Sequence, residues 1–284
     1  MKKKNGGFWL AFPAIAGFTV FYFVPFLITV WYSVSFGIGQ REFVGMANFI
    51  DLFHNEMFLL SLKNTGRFLA VSVPVILAGS LLLSMLLQKL TRGLKGFRLA
   101  YFYPMMIPIA STVLGVQLFF GETGIVNRFL LLVGENDKDW LHSSLAFWVI
   151  CILYWWKYTG YHVLILFARL QMIPKPYYEN ARLDGAGNGT IFRCITLPLI
   201  APVLLFNLVL ALMNAFKCYR EAFLLGGNYP NDSIYLLQHF MNNNFQNLNY
   251  QKISSASVVL LTVILVFCGI GYGIYRVIRG RAYE

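Results

Sequence analysis

The stretch that decides the reading is 177–202, YYENARLDGAGNGTIFRCITLPLIAP. It is the longest conspicuously polar, glycine-rich interval between two strongly apolar blocks, one running up to Met172 and the other resuming at Leu197. Pro174 and Pro176 are expected to end the helix before it, because proline has no backbone donor and holds the preceding residue out of the helical region. Residues 179–183 then read as a short helix with Glu179 near its positive end. Gly185, Gly187 and Gly189 are expected to break it, since glycine takes a positive φ without penalty. Thr190 is placed as the cap of a second short helix carrying Ile191, Phe192 and Ile195, and Pro198 and Pro202 close the segment. The expectation is a helix, a glycine turn and a helix between two membrane-length segments.

The composition around this stretch is that of a membrane protein. Of 284 residues 58% are hydrophobic and 12% charged, with a mean hydropathy of +0.61. A soluble domain carries about 25% charged residues. The net charge of +11 would suit a nucleic-acid binder. The basic residues gather instead at the ends of apolar runs, so membrane lipid is the expected contact and nucleic acid is not. Cys151, Cys194, Cys218 and Cys268 are far apart, and no pair has metal-ligand spacing. They are expected to be buried, inert thiols. His162, in an apolar segment, is expected to satisfy a packing hydrogen bond rather than bind a metal.

Taken in order, the chain shows about six apolar runs near 8–36, 64–90, 99–120, 143–170, 199–219 and 253–278. Each meets the ~20 residues needed to cross the hydrocarbon core. The first follows Lys2, Lys3 and Lys4, but exceeds the ~7–15 residues of a signal-peptide core and reads as an uncleaved helix kinked at Pro13 and Pro25. The region 221–252 reads as a long polar segment. Three regions follow: 1–63 as tail, first helix and external loop, 64–278 as the transmembrane domain, and 279–284 as a tail.

Positive residues set the expected orientation. With the N-terminus inside, fourteen fall on the inner side: Lys2, Lys3, Lys4, Lys89, Arg92, Lys95, Arg98, Arg169, Lys175, Arg182, Arg193, Arg276, Arg279 and Arg281. Eight fall outside: Arg41, Lys63, Arg67, Arg128, Lys138, Lys217, Arg220 and Lys252. Both termini and the glycine loop are therefore expected on the cytoplasmic side of the cell membrane.

The spacing Glu179, Ala181, Asp184-Gly185-Ala186, then Phe192, Ile195, Leu197-Pro198 and Pro202 resembles the cytoplasmic EAA loop of ABC importer permeases. Asn180 stands where that family usually has its second alanine. The motif EFVGMANFIDLF at 42–53 resembles the family's first external loop, and Gly124 with Asn127 its Gly-x-x-Asn turn. Gly226, Gly227, Pro230, Ser233, Tyr250 and Ser255-Ala256 resemble the carbohydrate branch, the maltose-type permeases. The resemblance covers 64–278. It implies an all-α fold of the type I ABC importer permease, and half of a translocation pathway for a sugar or oligosaccharide. It also implies a second permease subunit in a heterodimer, two ATP-binding subunits, and an extracellular solute-binding protein. Glu179, Ala181, Asp184, Gly185, Ala186, Phe192, Leu197 and Pro198 are then the ATPase-coupling residues. A permease for a non-sugar solute and a stand-alone secondary transporter are the alternatives.

No Gly-x-x-x-x-Gly-Lys-Ser/Thr occurs, so the chain is not expected to hydrolyse ATP itself. Cofactors are expected on the partners, as ATP and magnesium, with no catalytic or metal-binding residue here. The carboxylates read as mainly extracellular and unpaired. Lys157, in LYWWKYTGY, is the clear mid-helix charge and a functional candidate on that ground. The bland alternative is a packed or snorkelling lysine. Trp156 beside it can stack on a sugar ring or simply anchor the helix. Asn207, Asn214 and Glu221 recur at intervals of seven, with Lys217 between, and share roughly one helical face. Such a stripe faces either a passage or a partner helix. These six residues are the candidate substrate pathway.

Overall fold

The computed structural model describes residues 6–37, 42–89 and 94–280. Of the basic residues that set the orientation, Lys2, Lys3, Lys4, Arg41, Arg92 and Arg281 lie outside the described residues, as do Leu90 and the tail 281–284. In chain order the helices are α1 (Gly6–Phe18), α2 (Val24–Ser33), α3 (Ala47–Phe53), α4 (Glu56–Lys89), α5 (Leu94–Met106), α6 (Ile109–Phe120), α7 (Ile125–Leu132), α8 (Ala146–Gln171), α9 (Lys175–Leu183), α10 (Asn188–Ile191), α11 (Leu197–Lys217), α12 (Tyr219–Gly226), α13 (Leu237–Gln246) and α14 (Tyr250–Gly280). Strands β1 (Ser35–Phe36) and β2 (Glu42–Phe43) form one small antiparallel ladder, with Ser35 opposite Phe43.

Among the described residues, six stretches are long and apolar enough to cross a membrane: Leu10–Ser33, Glu56–Gln88, Ile109–Leu132, Ala146–Gln171, Asn188–Gly226 and Tyr250–Gly280. The chain is an all-α, multi-pass membrane protein. Contacts divide it into two units. One holds the chain up to Leu59 together with Phe240–Thr262, the other Leu60–His239 together with the chain from Val263.

In the first unit, α1 and α2 are joined by one π turn, Thr19–Phe23. The wide turn falls just before Pro25, which lacks a donor and crowds the carbonyl four residues back. The helix stops at Ser33, short of the expected Phe36, because Ser35 and Phe36 enter the ladder. Asn48 of α3 fixes this exit, donating Nδ2 to the carbonyls of Ser33 (3.1 Å) and Ser35 (2.9 Å). Ser255 of α14 also donates to the Ser33 carbonyl, at 3.3 Å. Helix α4 begins well before the expected Asn64. Asn55 caps it, its Oδ1 accepting from the Phe58 amide at 2.9 Å. Phe58 is fully buried, edge-on to Phe53 and Phe240.

The second unit is organised on α8, which packs against α5 and α11. Its core joins Phe68, Leu69 and Ile76 of α4 to Ile150, Tyr154 and Tyr158 of α8 and Ala211 and Leu212 of α11. The Tyr154 hydroxyl donates to the Ala211 carbonyl at 2.9 Å, and Trp155 Nε1 to the Ser72 carbonyl at 3.2 Å. Arg67 lies over the Phe147 ring, 4.0 Å from its centroid. A side chain at Gly160 would collide with the backbone of Tyr101, so this glycine permits the close approach of α5 and α8.

Three expectations fail at prolines. The run 99–120 is divided, because Pro108 is extended (φ −56°, ψ 145°) and α6 starts after it. Pro198 and Pro202 do not close a segment. A π turn, Phe192–Thr196, joins α10 to α11, and Pro198 occupies the first turn of α11, where its missing donor costs little. Pro176 likewise opens α9 instead of ending the helix before it. The region 221–252 is also less irregular than its polarity suggests: α12, the 3₁₀ turn Asp232–Ile234 and α13 occupy most of it.

Candidate functional site

The glycine loop folds as a capped helix with a defined exit. Pro174 is the N-cap and Pro176 lies in the first turn, its fixed φ suiting a helix start. Glu179 thereby falls in the second turn of α9 and not at its positive end, since the helix begins four residues earlier than expected. The exit is a Schellman motif. Gly185 takes φ +79°, its amide bonds the Arg182 carbonyl at 3.0 Å, and the Ala186 amide bonds the Ala181 carbonyl at 2.9 Å. This explains the Ala181, Gly185 and Ala186 spacing physically: they are the third-last helical residue, the left-handed residue and the residue that closes the six-residue ring. Gly187 has φ −73° and is the N-cap of α10; Thr190 lies inside that short helix and does not cap it.

No residue of α9 is buried. Leu183 is 85% exposed and Tyr177 54%, an apolar set with no cover from the described residues. The loop is held by its other face. Tyr178 contacts Thr196 hydroxyl to hydroxyl at 3.3 Å, and packs on Leu170, Ile173 and Ile200. A cleft of about 670 Å³ separates the loop from the end of α4, lined by Met85 and Leu86 on one side and Glu179, Arg182 and Phe192 on the other. Asp184 is exposed, and Leu197 and Pro198 are half-buried where α11 begins.

Polar residues of α11 and α12 meet α8 at two places, Asn207 at His162 and Glu221 at Lys157. Lys157 Nζ lies 2.5 Å from Glu221 Oε1, and the residues are 4% and 1% exposed. Glu221 is therefore a buried, paired carboxylate, which corrects the reading of the acids as unpaired. Asn207, fully buried, is engaged by His162, with Nδ1 and Oδ1 2.6 Å apart and Asn207 Nδ2 3.4 Å from the His162 carbonyl. Asn214 is buried, and its Oδ1 accepts from Lys217 Nζ at 3.3 Å. The Lys217 chain is exposed. Trp156 is 49% exposed and lines a separate groove with Ile107, Thr112 and Val116. The structure thus pairs Lys157 with Glu221, Asn214 with Lys217 and Asn207 with His162, and sets Trp156 apart. A residue the sequence reading passed over is His239. It is fully buried, its Nδ1 accepts from the Leu236 amide at 3.1 Å, and Tyr219 and Tyr235 flank its ring.

The stretch 226–235 forms a tight turn. Gly227 has φ +70°, and a side chain at Gly226 would meet Pro230. Asn231 caps the 3₁₀ turn through the Ser233 amide at 3.0 Å. Asn127 organises the other irregular loop, donating to the carbonyls of Glu122 (3.0 Å) and Lys138 (2.9 Å) and accepting from Trp140 Nε1 at 2.8 Å. Cys151 and Cys218 are buried as expected, whereas Cys194 is exposed on the π turn.

The sn-glycerol-3-phosphate transport system permease protein UgpA of Yersinia enterocolitica is 32% identical over 93% of this chain and 94% of its own. The arabinooligosaccharides transport system permease protein AraP of Bacillus subtilis is 29% identical over 93% of this chain and 86% of its own. A chain of a bacterial alginate ABC transporter, crystallised with an alginate pentasaccharide-bound periplasmic protein, has the same fold. It superposes with a TM-score of 0.80 at 21% identity, covering 96% of this chain and 94% of that one. Residues 68–282, which include the capped helix, its Schellman exit and the Lys157–Glu221 pair, match the family described as binding-protein-dependent transport system inner membrane component, and the chain belongs to it as a permease of an ABC importer.

Proposed function

We propose that this chain forms half of the translocation pathway for a sugar or oligosaccharide, paired with a second permease subunit. Two ATP-binding subunits, carrying ATP and magnesium, drive it from the cytoplasm, and an extracellular solute-binding protein delivers the solute. The observation that carries this reading is α9: a short helix that holds exposed apolar residues and leaves through a Schellman turn at Gly185. A short helix seated in a partner's groove is a common recognition mode, and here the groove belongs to the ATPase. Glu179, Ala181, Asp184, Gly185, Ala186, Phe192, Leu197 and Pro198 make up the coupling element. Closure of the ATPases moves α9, and the π turn passes that motion to α11, which alternates the access of the passage. The fourteen-to-eight bias of basic residues along the sequence supports cytoplasmic termini.

The sugar class draws on the arabinooligosaccharide and alginate systems. Glycerol 3-phosphate, the solute named for the 32% identical relative, is a polyol phosphate and is the second reading. Lys217 and Trp156, both exposed, are the residues of the candidate set free to meet solute; Lys157, Asn207, Asn214 and Glu221 are buried and bear on it through the packing of their helices. Proteoliposomes holding the assembled complex, with ATP inside and binding protein outside, test both readings. ATP-dependent uptake of labelled oligosaccharide supports the first and uptake of glycerol 3-phosphate the second. ATP-dependent uptake of neither overturns the assignment.

A further inference from the structure

Two adjoining hollows in the second unit share Tyr275. The first is a groove of about 420 Å³ between α4, α11 and α14, walled by Val73, Leu204, Leu208, Phe267 and Ile274 among others. Tyr275 supplies the one polar side chain in its lining. The second is a cleft of about 410 Å³ at the α9 end, into which Arg169 and Arg279 face beside Tyr177 and Cys194. Among the described residues no acidic side chain lines either hollow. Arg279 donates Nη1 to the Tyr275 hydroxyl at 3.0 Å, at the junction of the two. Arg169 donates Nε and Nη2 to the Leu199 carbonyl, at 3.0 and 2.9 Å, which fixes its charge at that level.

From Phe267 to Ile278 the apolar groove follows α14 for about 16 Å at 1.5 Å per residue, and the polar group of its lining, the Tyr275 hydroxyl, lies towards the end where the arginines stand. Gly271 keeps the floor low, since a side chain there would run into Leu208. The groove lies along membrane-crossing helices, and the arginines stand in the last turns of α8 and α14, the depth of lipid headgroups.

We propose that these hollows bind an anionic phospholipid, one acyl chain in the groove over Gly271 and the phosphate against Arg279 and Arg169. An apolar channel opening onto paired cations matches the order of groups in such a lipid, and a basic residue at the membrane surface attracts anionic headgroups. The site depends on the chain spanning a membrane and not on which solute it carries.

The test uses the native complex in lipid nanodiscs with photoactivatable phosphatidylglycerol or phosphatidylcholine, the diazirine placed in the acyl chain. Peptides spanning 204–208 and 267–278 should be labelled by phosphatidylglycerol about fivefold more than by phosphatidylcholine. Arg279→Gln should remove most of that preference while labelling of α1 and α2 stays constant, which controls for folding. Leu205→Trp, which fills the groove, should lower labelling by both lipids. Equal labelling by the two lipids, or a preference unchanged in Arg279→Gln, overturns the proposal. So does a groove that takes neither lipid and cross-links to another protein chain.

Discussion

Lys157 and Glu221, separated by 64 residues in the chain, meet at 2.5 Å in the protein's interior. The pair ties the middle of α8 to α12, just beyond the break in the helix at Cys218. Each charge is tolerable because the other is present; an intramembrane charge alone is costly. Removing one partner of a buried pair destabilises by about 3–5 kcal/mol, while replacing both with apolar residues is often neutral. Glu221→Leu or Lys157→Met should therefore lower the melting temperature of the purified complex sharply, and the double variant should regain most of the loss. Single variants that melt like the parent would exclude a structural role for the pair.

On the proposed coupling role, Gly185 is a position at the α9 exit where a side chain should do harm. Its φ of +79° is one that a β-branched residue resists. Gly185→Val should leave the protein in the membrane, abolish solute uptake, and release ATP hydrolysis from control by the binding protein. Gly185→Asn should be milder, because asparagine tolerates the left-handed region. Asp184→Ala should act weakly, by about 1 kcal/mol or less, as the loss of a local polar group at a helix end. Uptake and hydrolysis by the reconstituted complex decide; normal coupling in Gly185→Val would falsify the role given to α9.

The orientation is checked by thiol labelling. In a background lacking the exposed Cys194, Asp232→Cys should react with an impermeant maleimide added to intact cells, and Asn188→Cys should react after the membrane is opened. The reverse pattern would turn the protein over and remove α9 from reach of a cytoplasmic ATPase.

His239 makes stability pH-dependent. Burial pushes its imidazole down from the ordinary 6.5 to about 4. The folded state binds that proton less readily than the unfolded one, so stability is complete above pH 6.5 and is lost as the pH falls towards 4. A shift of this size is on the order of 3 kcal/mol when fully expressed. His239→Asn retains an acceptor for the Leu236 amide and does not titrate. The melting temperature of the parent should drop across this window, and that of the variant should drop less; parallel curves would dismiss His239 as the cause.

Much of the architecture was legible because membrane helices announce themselves by length and apolarity, and because glycine has a distinct conformational role at Gly185. Helix ends were less legible. The start of α4 depends on a single side-chain cap from Asn55, and the break before α6 on Pro108, which a smooth apolar run conceals. The site was half visible. The interval of seven placed Asn207, Asn214 and Glu221 on one face, and the first and last of them do meet one neighbour, α8. What lies opposite was not readable, because nothing local in the sequence links Asn207 to His162 or Glu221 to Lys157. Those pairings depend on how α8 and α11 pack, and that packing is set by contacts such as Tyr154 with Ala211.

The first span has a bearing on how the protein is made. From Leu10 to Tyr32 none of its side chains is buried, although nearly all are apolar. Such a helix can draw its stability from lipid or from another chain. It leaves the ribosome before the spans that follow it and can be inserted before any of them exists. If a companion subunit is what finally covers it, a cell making this chain alone will hold a correctly threaded but unclaimed anchor. Membrane quality control would remove that species, so the amount of this protein in a cell should follow the amount of its companion.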